Sequence, residues 1–176
     1  APDTMENEYL SVRVCSDGTR SVRDKASGTA YAGLHVFESC GDTGDPWVRR
    51  TPLDNPVILS AGQPVTVAVQ EAGPLLTSFR LELDFMVPKA ATQDLKARTA
   101  ERTAIRIVSL VTLRKGARRV DIVTKVNNTA KDHRLRVLFP SGLKAGTSEA
   151  GSQLDVVSRD IHLEDTSQWV EPMPHT

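Results

Sequence analysis

An all-β fold, an antiparallel β-sandwich, is what this sequence predicts, and two observations carry the prediction. Apolar residues recur at every second position through most of the chain. Turn-forming residues interrupt those runs about every ten residues, the spacing of sandwich strands. With 176 residues the chain is long enough to bury one core, so residues 1–176 are read as a single domain of nine or ten strands.

In chain order, Leu10, Val12 and Val14 form the first alternating row. Ser16-Asp17-Gly18 follows, and Asp-Gly is a strong hairpin signal. Ala26-Ser27-Gly28 marks the next reversal. An apolar run from His35 enters a loop over 41–56, rich in Gly, Asp and Pro. Val65, Val67 and Val69 alternate again.

The clearest strand runs from Leu75 to Val87. Phe79, Leu81, Leu83 and Phe85 point one way and Arg80, Glu82 and Asp84 the other, so one face is buried and one is wet. The segment 88–102 is polar and reads as a loop with room for a short helical turn, its apolar content too thin for a core helix. From Ala104 to Leu113 both faces are apolar, since Val108 and Leu110 oppose Ile105, Ile107 and Val111; such a strand is expected to be covered on both sides, either beneath another sheet or against a neighbouring domain absent from this chain. Lys115-Gly116-Ala117 turns the chain into a strand bearing Val120, Ile122 and Val126, which Asn127-Asn128 closes. Leu135, Val137 and Phe139 read as a further inward row. Trp169 stands close to Thr176, which predicts that the polypeptide continues.

Composition excludes several classes of partner. Lys plus Arg number 22 and Asp plus Glu number 22, giving a formal net charge of zero. That balance argues against nucleic acid held through phosphate neutralisation and against an anionic membrane surface. No apolar window is long enough to span a bilayer, and the N-terminus carries no basic and apolar leader pattern. Only Cys15 and Cys40 are present; they read as idle or buried thiols rather than a disulfide scaffold, which favours a cytoplasmic location.

The segment richest in chemistry is His35-Val36-Phe37-Glu38-Ser39-Cys40-Gly41-Asp42-Thr43-Gly44-Asp45-Pro46-Trp47. Asp42 and Asp45 have two readings: acceptors for sugar hydroxyls, or Asx turns that bond their own backbone. Trp47 offers a flat apolar face suited to stacking on a pyranose. A calcium loop is a third reading, but the spacing fits no EF-hand. Glu38, Asp42 and Asp45 are candidates for a glycosidase acid pair, against the commoner case of solvated loop carboxylates. His35, His133, His162 and His175 stand in no zinc-binding spacing, and no serine-hydrolase elbow or phosphate loop is present. No catalytic residue and no cofactor site is therefore assigned within the chain. A sugar-binding module is expected to show several exposed aromatics on one face, and this chain is poor in them.

A family resemblance emerges from motifs in order along nearly the whole chain. Asn7-Glu8-Tyr9-Leu10-Ser11-Val12 resembles an opening strand, and Asp17-Gly18-Thr19, Asp24-Lys25-Ala26-Ser27-Gly28 and Tyr31 its following hairpin. Phe37-Glu38, Gly41-Asp42, Gly44-Asp45 and Trp47 resemble an acidic loop; Asp132-His133-Arg134-Leu135-Arg136-Val137-Leu138-Phe139-Pro140 resembles a later strand; Arg159, Trp169 and Glu171-Pro172 resemble the exit. Together they are similar to the C-terminal β-sandwich region of glycoside hydrolase family 38, the α-mannosidases.

The resemblance implies a portion of a galactose-mutarotase-like supersandwich, cut at both ends, from a parent that hydrolyses α-mannosides with retention. It implies that zinc and the nucleophile belong to a separate N-terminal α/β barrel, which would be this domain's partner. It also implies that the acidic loop helps shape the sugar site, with Asp42, Asp45 and Trp47 as the leading binding residues and Arg136 and Tyr9 behind them. The alternative is a stand-alone carbohydrate-binding sandwich. If apolar surface is left open by truncation, self-association is expected.

Overall fold

The computed structural model describes residues 3–162, and among these it contains thirteen strands and no helix. The long sheet has the order β10-β9-β8-β7, all antiparallel. Its central strands are β8 (Leu76–Pro88) and β9 (Arg102–Arg114), flanked by β7 (Val65–Ala72) and β10 (Asp121–Asn127). Strict alternation fixes its register. Phe79, Leu81, Leu83, Phe85 and Val87 on β8 and Ile105, Ile107, Val111 and Leu113 on β9 are all buried on one face.

Two small sheets cover that face side by side. The first has order β1-β2-β3-β4, from β1 (Thr4–Glu6), β2 (Leu10–Val14), β3 (Arg20–Asp24) and β4 (Ala30–Leu34). Its Met5, Leu10, Val12 and Val14 pack against Phe79, Leu81, Val111 and Leu113. The second has order β11-β5-β6, from β5 (Val36–Gly41), β6 (Ile58–Leu59) and β11 (His133–Leu138). Its Phe37, Ile58 and Leu135 pack against Leu83, Phe85, Val87, Ile105 and Ile107. The result is a two-layer antiparallel sandwich, as the alternation predicts. A separate hairpin pairs β12 (Thr147–Ser152) with β13 (Asp155–Asp160).

Two expectations are corrected. The segment 88–102 holds no helical turn; it folds back through bridges between Ala91 and Arg98 and between Asp54 and Ala97. Val137 and Phe139 are not inward: they are 44% and 51% exposed, Val137 on the edge strand β11 and Phe139 just past its end. Val108 and Leu110 are only half-buried, so the outer face of β9 has no second cover among the described residues. The Asp-Gly turn behaves as read, with Gly18 at φ 80° and Asp17 Oδ1 accepting from the Thr19 amide at 2.9 Å. Trp169 and Glu171-Pro172 lie outside the described residues.

The two small sheets meet at His35, the single residue between β4 and β5. Its φ of 61° is in the left-handed region, an unusual place for a side chain of this size. That kink lets one continuous strand path change sheets. Beneath the junction the long sheet changes character too, since Ser109 and Thr124 bond each other at 3.0 Å in the otherwise apolar inner face.

Candidate carbohydrate-facing loop

β5 delivers the acidic loop. All six of its residues are buried, including Glu38 and Ser39, because it is the central strand of its sheet. Polar side chains survive there only with partners. Glu38 receives Arg136 from the directly opposed position on β11, through Nε at 2.9 Å and through a second, shorter contact from Nη2. Ser39 lies in a chain of bonds. Arg98 Nη2 donates to Ser39 Oγ at 2.9 Å, and Ser39 lies 3.1 Å from His133 Nδ1. The His133 Nε2 faces Asn128 Oδ1 at 3.0 Å, an oxygen that also accepts from the Ala130 amide. Asn128 offers only an acceptor there, so Nε2 carries the proton and Nδ1 accepts from the serine hydroxyl. Burial, followed by the Arg98 charge, pushes the His133 imidazole below its ordinary range, consistent with a neutral ring.

Arg98 also clamps the root of the loop. Its Nη1 donates to Ser39 O and to Pro56 O, both at 3.2 Å, so one guanidinium holds the strand entering the loop and the residue leaving it. The Gly41 amide donates to Asn55 Oδ1, and the Asp42 amide to Asp132 O at 3.0 Å. Asp132 accepts from the Ala91 amide at 3.1 Å with its own carboxylate and takes φ 51° to do so.

Beyond this root the chain forms a tight two-stranded tip. Thr43 N donates to Arg50 O at 2.8 Å and Asp45 N to Val48 O at 3.1 Å. Asp42 Oδ1 accepts from the amides of Gly44 at 3.1 Å and Arg50 at 3.2 Å. Asp45 Oδ1 accepts from those of Trp47 and Val48, both at 2.8 Å. The Asx-turn reading is thus what the geometry shows for one oxygen of each carboxylate. The second oxygen of each has no bond among the described residues. The Trp47 and Val48 amides hold the Asp45 carboxyl below the usual carboxylate range, so it is an acceptor and not an acid at neutral pH. Gly44 is demanded by space: a Cβ there would lie 1.8 Å from Val48 O.

Trp47 is 91% exposed, so its indole face is free for stacking. Asp42, Asp45 and Trp47 therefore share one loop tip. Arg136 does not join them; it is committed to Glu38, in mid-strand. Tyr9 is farther still. It lies under the Arg118 guanidinium, 4.2 Å from its ring centre, beside the β9–β10 turn. The loop is rooted at the other end of the long strands, which at 13 residues and about 3.4 Å per residue span roughly 40 Å.

The clamp of Arg98, Ser39, His133, Asn128 and Asn55 was not marked as functional by sequence. Its one legible sign was His133, flanked by Asp132 and Arg134 at a strand start. Among the described residues no three His, Cys, Asp or Glu side chains gather to hold a metal ion. Cys15 and Cys40 are both free thiols. Among the described residues no helix is long and apolar enough to cross a membrane.

Comparison with known proteins gives consistent findings. The profile of the glycosyl hydrolases family 38 C-terminal domain matches residues 5–176. A putative mannosylglycerate hydrolase of Halalkalibacterium halodurans is 29% identical in an alignment of 171 residues that covers 89% of this chain and 19% of the relative. The crystal structure of an alpha-mannosidase from Enterococcus faecalis V583 superposes with a TM-score of 0.87 and 30% identity, over 93% of this chain and 20% of that one. A glycosyl hydrolase family 38 protein from Enterococcus faecalis gives a TM-score of 0.84 at 30% identity, over 90% and 21% of the two chains. The chain thus spans about a fifth of the length of the relatives it matches.

Proposed function

This chain belongs to the glycosyl hydrolase family 38 C-terminal domains, and from that premise we propose that it is the non-catalytic sandwich portion of a longer, retaining α-mannosidase. In that enzyme, a galactose-mutarotase-like supersandwich would sit beside a zinc-bearing barrel in the cytoplasm. The barrel would supply metal and nucleophile, and the tip of the Asp42–Arg50 loop would help shape the sugar site.

The observation that carries the proposal is the tip itself. It presents two fixed carboxylates and an exposed indole on a root tied down at four points, which is how a scaffold holds a recognition loop. The carboxylates suit acceptance of sugar hydroxyl protons, with their free oxygens as the acceptors. They do not suit acid catalysis, since each is already bonded to backbone amides and Glu38 is paired with Arg136. This division of labour agrees with a family in which the reacting groups belong elsewhere. A second reading, a stand-alone carbohydrate-binding module, draws on the exposure of Trp47 alone.

Sequencing the source gene on both sides of this segment is the first test; a reading frame with no barrel-sized extension sinks the parent-enzyme proposal. In the longer enzyme, Asp45→Ala is expected to lower kcat/KM on an aryl α-mannoside about tenfold, the loss of one hydrogen bond to a hydroxyl. Unchanged kinetics would remove the loop from the sugar site. Calorimetry of this chain with mannosides separates the module reading: binding at micromolar to low millimolar strength supports it.

A further inference from the structure

The seam between the two small sheets holds a charge without a counter-charge. Arg20, the first residue of β3, is 5% exposed. Its Nη1 donates to Gly18 O at 2.8 Å and to His35 O at 3.4 Å, while Nε has no partner and no carboxylate pairs with the group among the described residues. His35 beside it is 3% exposed, and its Nδ1 is also without a partner. A buried guanidinium stripped of water and given only carbonyls is expensive. Burial pushes its proton affinity down to about 10, a sign of how poorly the site compensates it.

Arg20 and His35 are among the residues that line one open cleft of about 260 Å³, whose other walls include Val22, Tyr31, Leu34 and Phe139. Tyr31 and Phe139 are 38% and 51% exposed and form an apolar rim. Phe139 stacks on the His35 ring at 5.6 Å. Sites for free ligands usually measure about 300–1,000 Å³. This cleft is smaller and suits one or two side chains.

We infer that the Arg20–His35 cleft is a docking socket for an apolar segment carrying a carboxylate, and that the occupant is another part of the longer enzyme, outside this chain. The inference rests on the parent-enzyme proposal. Charge complementarity specifies the carboxylate, the cleft walls specify the apolar flank, and the relatives, about five times longer, supply the polypeptide. Docking would set a counter-charge beside the guanidinium, which now holds only carbonyls.

Phenylacetate is the probe, titrated into the 176-residue chain and followed by NMR at Val22, Leu34 and His35. Saturable binding is expected. Phenylacetamide, of the same shape without the charge, is expected to bind at least tenfold more weakly, as is phenylacetate to Arg20→Met. The neutral probe keeps the test valid should that variant fail to fold. The longer enzyme is expected to show no Arg20-dependent phenylacetate binding, since its own segment fills the socket. Absence of binding to the 176-residue chain, or equal binding of the two probes, overturns the inference. So does Arg20-dependent binding by the longer enzyme, which would make the cleft a free-ligand site. A gene that encodes nothing longer sinks the parent proposal and with it the occupant, but leaves the probe result on this chain standing, so the two failures are distinct.

Discussion

Lowering the pH from 7 to 5 should weaken this fold most through His35. Burial, and then the Arg20 charge, depress the imidazole's titration from 6.5 to about 4 in the folded protein. In the unfolded chain it returns to about 6.5. Between those values the unfolded state holds a proton that the folded state refuses, so stability rises with pH across the window and is lost as pH falls. Each pH unit of separation is worth about 1.4 kcal/mol, so the full loss by pH 4 approaches 3 kcal/mol. At pH 5 about 2 kcal/mol of it should be gone. His35→Asn removes the titration while keeping a residue that tolerates φ 61°. Urea unfolding of both proteins at pH 7 and pH 5 isolates the effect, because every other group, His133 included, titrates alike in the two. The wild type should lose about 2 kcal/mol more than the variant. Parallel losses would refute the assignment of a neutral, desolvated imidazole at the seam.

Two further outcomes test the loop and its root. Gly44→Ala places a Cβ 1.8 Å from Val48 O and should spring the tip open, raising amide exchange at Thr43 and Asp45 by about tenfold or more; unchanged protection would show that the tip can deform at little cost. Arg98→Met deletes the bonds to Ser39 Oγ, Ser39 O and Pro56 O and should cost about 3 kcal/mol, read as a lower urea midpoint at constant slope.

Local pattern made the long sheet legible. The alternation over Leu75–Val87 and Ala104–Leu113 names the residues that fill the inner face, because a half-buried antiparallel strand writes its two environments at period two. The acidic tip was legible as well, since Gly and Asp at a strand end have few other uses. β5 was legible only as an apolar run. Its Glu38 and Ser39 are buried by partners 98 and 94 residues away. Pairing over such separations leaves no trace in a local window. Arg98 was missed for the same reason: it sits in a polar stretch that reads as loop, and only the fold reveals which carbonyls it reaches. Val137 and Phe139 alternate correctly but lie on an edge strand and just past its end, and alternation cannot tell which strand lies at an edge.

The kink at His35 also bears on how the domain comes apart. One core cluster lies under β1–β4 and the other under β5, β6 and β11, and both rest on the pair β8 and β9. Those two strands act as a splint across two half-cores. Loosening either half withdraws support from the same two strands that register the other, so the two half-cores are expected to be lost in one cooperative transition. The Asp42–Arg50 tip is rooted in the second half, and damage to the distant first half is therefore expected to reach it through that shared pair.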